Sequence, residues 1–247
     1  MKKLITVLLI VFILAIIIFL ILRVSASGSE DNFFNKNYRE KFAKYPLTRQ
    51  LLALHYDGDA KTDYLGNDFK KILIEVDSMD GLEVSTQVLD LLKEKIESVT
   101  KKPVEYIESD SIIPYKEKVT DQDLKELETL YRNFYSKNDE AVLYLLIVSL
   151  DEAKNTSMGS TLQEDGLVLY KNELKDFTKD SPSTLSNYEE STLLHEFGHQ
   201  IGLPHNDKPG CLMNESAEMA RVAQERPQDV VVDFCDYEKE QIQNFLK

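Results

Sequence analysis

The chain has 247 residues and a formal charge of −14, with two cysteines and no tryptophan. That acidity argues against a nucleic-acid partner and against docking on anionic lipid headgroups, and it serves solubility. The first 23 residues carry +3 and no acids, so the remainder carries −17.

Leu4 to Leu22 is apolar except for Thr6, follows Lys2 and Lys3, and is closed by Arg23. Its length matches a membrane-spanning helix with the N-terminus inside the cell. A cleaved signal peptide is the alternative, with Val24-Ser25-Ala26 as the cleavage site. Both readings place the rest of the chain outside the cytoplasm, anchored or secreted after cleavage near Ala26. About 220 residues remain, enough for one domain with a sizeable core. Residues 27–68 read as a polar stalk with one short helix near Leu51, Leu52 and Leu54. Residues 69–247 read as the catalytic domain, divided into 69–203 and 204–247.

Within that domain, the run holding Ile72, Leu73, Ile74 and Val76 suits a buried strand. Ser85 or Thr86 caps a helix to about Thr100, with Val88, Leu89, Leu92, Ile96 and Val99 on one face. A short strand follows from Val104 to Ile107. A second helix runs from Thr120 or Asp121 to about Tyr135, its stripe being Leu124, Leu127, Leu130, Tyr131 and Phe134. Ala141 to Leu150 is apolar enough for a central strand. Two weaker strands flank Glu164-Asp165-Gly166. The order βαβαβββ, followed by a helix from about Tyr188, implies an α+β fold: a mixed twisted sheet with packed helices. A final helix is expected from about Asp233 to Phe245, anchored by Phe234, Tyr237, Ile242 and Phe245. This tail is too short to fold alone and must pack beneath the helix from Tyr188.

That helix carries HEFGHQIGLPH, His195 to His205, with three of the four histidines. His195 and His199 are four apart and project from one helical face, so both can reach one zinc ion. Glu196 stands beside the metal, placed to take a proton from zinc-bound water. Gly202 can adopt positive φ, end the helix and turn His205 back as third ligand. The fourth position then stays open for water, the mark of a catalytic zinc. Leu194, Phe197 and Ile201 form the core-facing stripe. Glu189 and Glu190 are assigned to the first turn, where they suit the helix dipole. His55 is read as a surface residue. Cys211 and Cys235 can form a disulfide closing a loop of about 25 residues, worth roughly 3 kcal/mol. Cys211 as a fourth zinc ligand and two free thiols are the alternatives.

HExxHxxGxxH followed by Met213 resembles the metzincin clan of zinc endopeptidases. The resemblance implies zinc bound by His195, His199 and His205, Glu196 as general base and acid, and Met213 in a methionine turn under the metal. The spacing from His205 to Met213 is similar to that of matrixins. Asn206 and Glu215 depart from the matrixin serine and proline, and no cysteine precedes Cys211 to form a cysteine switch. The two helices before the main strand and the strand pair near Met158 and Leu167 resemble archaemetzincins, although the cysteines of that family's second zinc site are missing. Tyr56-Asp57-Gly58-Asp59 is similar to the aspartate switch of astacin propeptides, and a turn is the simpler reading.

The expected protein is a monomeric, extracytoplasmic zinc endopeptidase with one catalytic ion. A peptide would lie along the edge strand near Ser157 to Leu162, and the segment after Met213 would wall the specificity pocket. A zinc-bound, non-proteolytic surface receptor and a hydrolase of non-peptide amides are the alternatives.

Overall fold

The computed structural model describes residues 2–29, 31–151, 157–214 and 230–246. Glu215 and the expected pocket wall after Met213 lie outside the described residues.

Five strands form the main sheet, in the order β2-β1-β4-β7-β6. They are β1 (Lys71–Ser78), β2 (Val104–Glu108), β4 (Glu140–Val148), β6 (Gly159–Leu162) and β7 (Gly166–Tyr170). β1 pairs parallel with β2 and β4, β4 pairs parallel with β7, and β6 alone runs antiparallel at the edge. The expected mixed sheet is therefore present. β4 is central because AVLYLLIV is apolar on both faces, and Ala141 to Val148 are all buried. A short parallel pair, β3 (Lys118–Val119) with β5 (Leu150–Asp151), was absent from the expected order. Two-residue strands carry no alternation to read.

Helix α6 (Thr86–Thr100) begins where Ser85 accepts the amide N–H of Val88, and its expected stripe is buried. α7 (Asp121–Tyr131) begins with a Thr120–Asp123 capping box. It ends four residues before Tyr135, and Leu130, assigned to its apolar stripe, is 75% exposed. α8 (Lys171–Phe177) follows β7, and α9 (Leu185–Gln200) packs against α6, β6, β7 and α8. The last helix, α10 (Asp236–Phe245), buries Ile242, with Phe234 buried just ahead of it. Tyr237 and Phe245, both expected anchors, stay partly exposed.

The main correction concerns residues 27–68. Instead of a stalk, four short helices occur: α2 (Phe33–Asn37), α3 (Arg39–Ala43), α4 (Pro46–Leu52) and α5 (Lys61–Leu65). Two buried ion pairs fix them, Arg39–Asp59 and Arg49–Asp63. Burial outweighs Arg49 at the second pair and pushes the Asp63 carboxyl up to about 6. Ala60, Tyr64, Leu65 and Phe69 belong to the main core, so the domain begins before residue 69.

Ahead of them, α1 (Lys2–Ala26) is long and apolar enough to span a membrane or to be a signal sequence. Its final turn is built into the fold. Ala26 is fully buried, and its carbonyl accepts from Arg39 Nη1 at 2.7 Å.

Candidate zinc site

The site begins with the way α9 ends. Gly202 has φ +84 and donates to the His199 carbonyl, while Leu203 N–H donates to the Gly198 carbonyl. This pair of bonds is the Schellman pattern, which turns the chain sharply at a residue in the left-handed region. The turn carries His205 back toward the helix, as the spacing predicts.

The three histidines converge. His195 Nε2 and His199 Nε2 each lie 3.1 Å from His205 Nε2. Three nitrogens bound to one tetrahedral zinc at about 2.0–2.1 Å stand roughly 3.3–3.4 Å apart, so the cluster fits such an ion. The outer ring nitrogens sharpen the fit. His195 Nδ1 faces the Leu212 carbonyl at 2.9 Å, and His199 Nδ1 faces the Leu203 carbonyl at 3.1 Å. A carbonyl only accepts, so in the neutral ring Nδ1 holds the proton and Nε2 is left with a lone pair. These two lone pairs and His205 Nε2 face one common point, where a cation could be held. His55 lies elsewhere, paired with Glu164 at the protein surface.

Met213 is fully buried under α9. A β-carbon on Gly198 would come within 2.4 Å of its sulfur and 3.2 Å of the Phe234 ring, so the methionine approaches because Gly198 has no side chain. The turn is held by a residue that the motif does not reveal. Glu238, 1% exposed on α10, accepts from the amides of Leu212, Met213 and Cys235 and from Asn206 Nδ2, at 2.7–3.1 Å. The chain Glu238–Leu212–His195 thus runs from the last helix to the metal ligand. A disulfide joins Cys211 to Cys235, and both sulfurs are thereby withdrawn from metal binding. Of the three readings of these cysteines, the disulfide is the one observed.

Glu196 is buried on the cleft side, against β6. A β-carbon on Gly159 would meet Thr192 Cγ2 at 2.6 Å and Glu196 Cγ at 3.0 Å, so this glycine lets the edge strand lie on the Glu196 side chain. Two residues along, Thr161 donates to Asp57 at 2.7 Å. Tyr56-Asp57-Gly58-Asp59 forms the expected turn, closed by Asp59 N–H to the Tyr56 carbonyl. It sits between β6 and the helix end, with Gly58 touching Gly202. Glu189 departs from its assignment. α9 starts at Leu185, which moves Glu189 and Glu190 past the first turn, and Glu189 forms a buried ion pair with Lys171. Burial raises the Glu190 carboxyl above the ordinary range.

No family model matches the chain, and no curated protein matches it. Among solved structures it is similar to an archaemetzincin from Methanopyrus kandleri, at 19% identity and a TM-score of 0.51, over 72% of this chain and 96% of that one. It also aligns with an archaemetzincin from Archaeoglobus fulgidus, at 17% identity and a TM-score of 0.44, over 69% and 99% of the two chains. A zinc-dependent peptidase from Methanocorpusculum labreanum gives 18% identity and a TM-score of 0.43, over 68% and 99%. Between matrixin-like and archaemetzincin-like, the two resemblances open in the sequence, the fold is the archaemetzincin one.

Proposed function

We propose that the protein is a zinc-dependent endopeptidase, anchored by α1, whose catalytic domain lies outside the cytoplasm. The carrying observation is the convergence of three histidine Nε2 atoms with Glu196 beside them under an edge strand. Zinc, when bound, supplies a Lewis acid that polarises the scissile carbonyl and acidifies the attacking water. Glu196 takes the proton of that water and passes it to the leaving amine. The outer edge of β6, unpaired with any other strand among the described residues, offers main-chain groups to an extended peptide, the usual way a strand is added to a sheet. The Leu203 and Leu212 carbonyls hold two ligand rings in the metal-binding tautomer. The Cys211–Cys235 disulfide supports an oxidising compartment.

The test is Glu196→Gln in the full chain, with bound zinc and chelator-sensitive cleavage of a peptide library both measured. Zinc is expected to stay while cleavage falls by roughly 100- to 10,000-fold. Cleavage as fast as wild type overturns the mechanism.

A further inference from the structure

The geometry points to a second membrane contact besides the span: helices α2 to α4 dock on a phospholipid leaflet around the end of α1. This inference rests on the anchored reading of α1.

Three observations carry it. The first is continuity. Phe33 and Tyr38 line one apolar groove with Ile21 and Leu22 of α1. Ile21 and Leu22 belong to the 24-residue span, which contains an 18-residue window of mean hydropathy 3.6. Side chains sharing a groove share a depth, so hydrocarbon that reaches Leu22 reaches Phe33. A small separate core, formed by Ala26, Phe34, Ala43, Leu52 and Leu54 with Phe19 and Leu22, fixes these helices to α1. The second observation is what these helices leave uncovered. Phe33 is 73% exposed and Leu47 65%, and Tyr45 and Leu51 are about half exposed. Large apolar side chains left exposed on the short helices that pack against the end of α1 call for a partner. The third is the pairing of exposed lysines with tyrosines. Arg39 and Arg49 are buried in ion pairs, so the cations left on this face are Arg23, Lys36, Lys41 and Lys44. Lys41 lies over the Tyr38 ring and Lys44 near the Tyr45 ring. Tyrosine beside lysine is the pairing favoured at the headgroup level.

The docking places the zinc site close to the bilayer. α3 and the turn at Tyr56–Asp59 line a cavity of about 550 Å3 that reaches Gly202.

The absence of tryptophan supplies a direct test. Single-tryptophan forms of the full chain are placed in vesicles of phosphatidylglycerol and brominated phosphatidylcholine, whose bromines quench tryptophan on contact. Phe12→Trp reports the span, Phe33→Trp and Leu47→Trp the docking face, and Ile112→Trp, exposed beyond the C-terminal end of β1, the far side. Each melting curve is compared with wild type to confirm folding. The expected result is quenching at positions 12, 33 and 47 and none at 112. Quenching at 12 alone leaves the anchor standing and overturns the docking. No quenching at 12 removes the anchor and the docking together. Quenching at all four positions overturns this choice of face. Emission at 33 and 47 that responds to protein density instead of bromine overturns it in favour of a second copy of the chain.

Discussion

At the residue scale, the ligand set depends on groups that touch no metal. Glu238 satisfies three backbone amides and one side-chain amide with one buried carboxylate. In Glu238→Gln, one of its two oxygens becomes an NH2 that faces donors. Zinc affinity is expected to fall about 10- to 100-fold through the Leu212–His195 bond, read by chelator competition. Unchanged affinity would show that the methionine turn holds itself. Gly198→Ala drives a methyl into Met213 and should cost about 1–3 kcal/mol of unfolding free energy in denaturant titration. The convergence of His195, His199 and His205, the turn at Gly202 and the burial of Met213 were legible because these residues lie in fixed spacings along one stretch. Glu238 was not, since a glutamate in the first turn of a helix looks like any dipole partner. Gly159 was hidden for a related reason: a missing side chain has meaning only once its neighbour across the cleft is known.

At the element scale, legibility followed length. α6, β4 and α9 show full periods of apolar spacing and lie within a few residues of expectation. α2, α3, α4 and α5 have five to seven residues each, under two turns, and so cannot display a 3.6-residue period. Their ion pairs are nonlocal, joining residues 39 to 59 and 49 to 63. The edge strand yields a test of its own. Gly159→Ala pushes on Glu196, so turnover should drop while zinc content holds, measured by peptide cleavage alongside metal analysis. The turn beside it carries a pH dependence. His55 hydrogen-bonds Glu164, and that bond, together with nearby carboxylates, raises the imidazole pKa. A histidine raised on folding contributes its full stability below the unfolded value of about 6.5 and loses it as pH rises through the folded value. The melting-temperature gap between wild type and His55→Ala should therefore be widest in mild acid and should close toward alkaline pH. A gap independent of pH would make the contact one of packing only.

At the scale of the whole molecule, the C-terminal segment is bound to the rest by three means: the disulfide, Glu238 and shared core. Leu212, Met213, Phe234 and Ile242 all join the main cluster. Replacing both Cys211 and Cys235 by Ser should cost about 3 kcal/mol on the chain-entropy account, seen as an earlier denaturant midpoint. The zinc cluster should survive at moderate temperature, because its ligands are set by α9 and its turn. A loss below 1 kcal/mol would assign the tail's attachment to Glu238 and the core.

Arg39 gives the absent stalk a mechanical meaning. One guanidinium holds the Ala26 carbonyl at the end of α1, pairs with Asp59, and stacks over Tyr56 at 3.5 Å in the turn that touches Gly202. A flexible leash would give the catalytic cleft a wide radius of capture in any direction. On the proposed reading of α1 as an anchor, this bracket gives the cleft a fixed bearing relative to the helix axis. On a bilayer, turnover would then scale with the surface density of substrates whose cleavable peptide stands at that one height. Bulk concentration would matter little, and lengthening a tethered peptide past that height should slow cleavage.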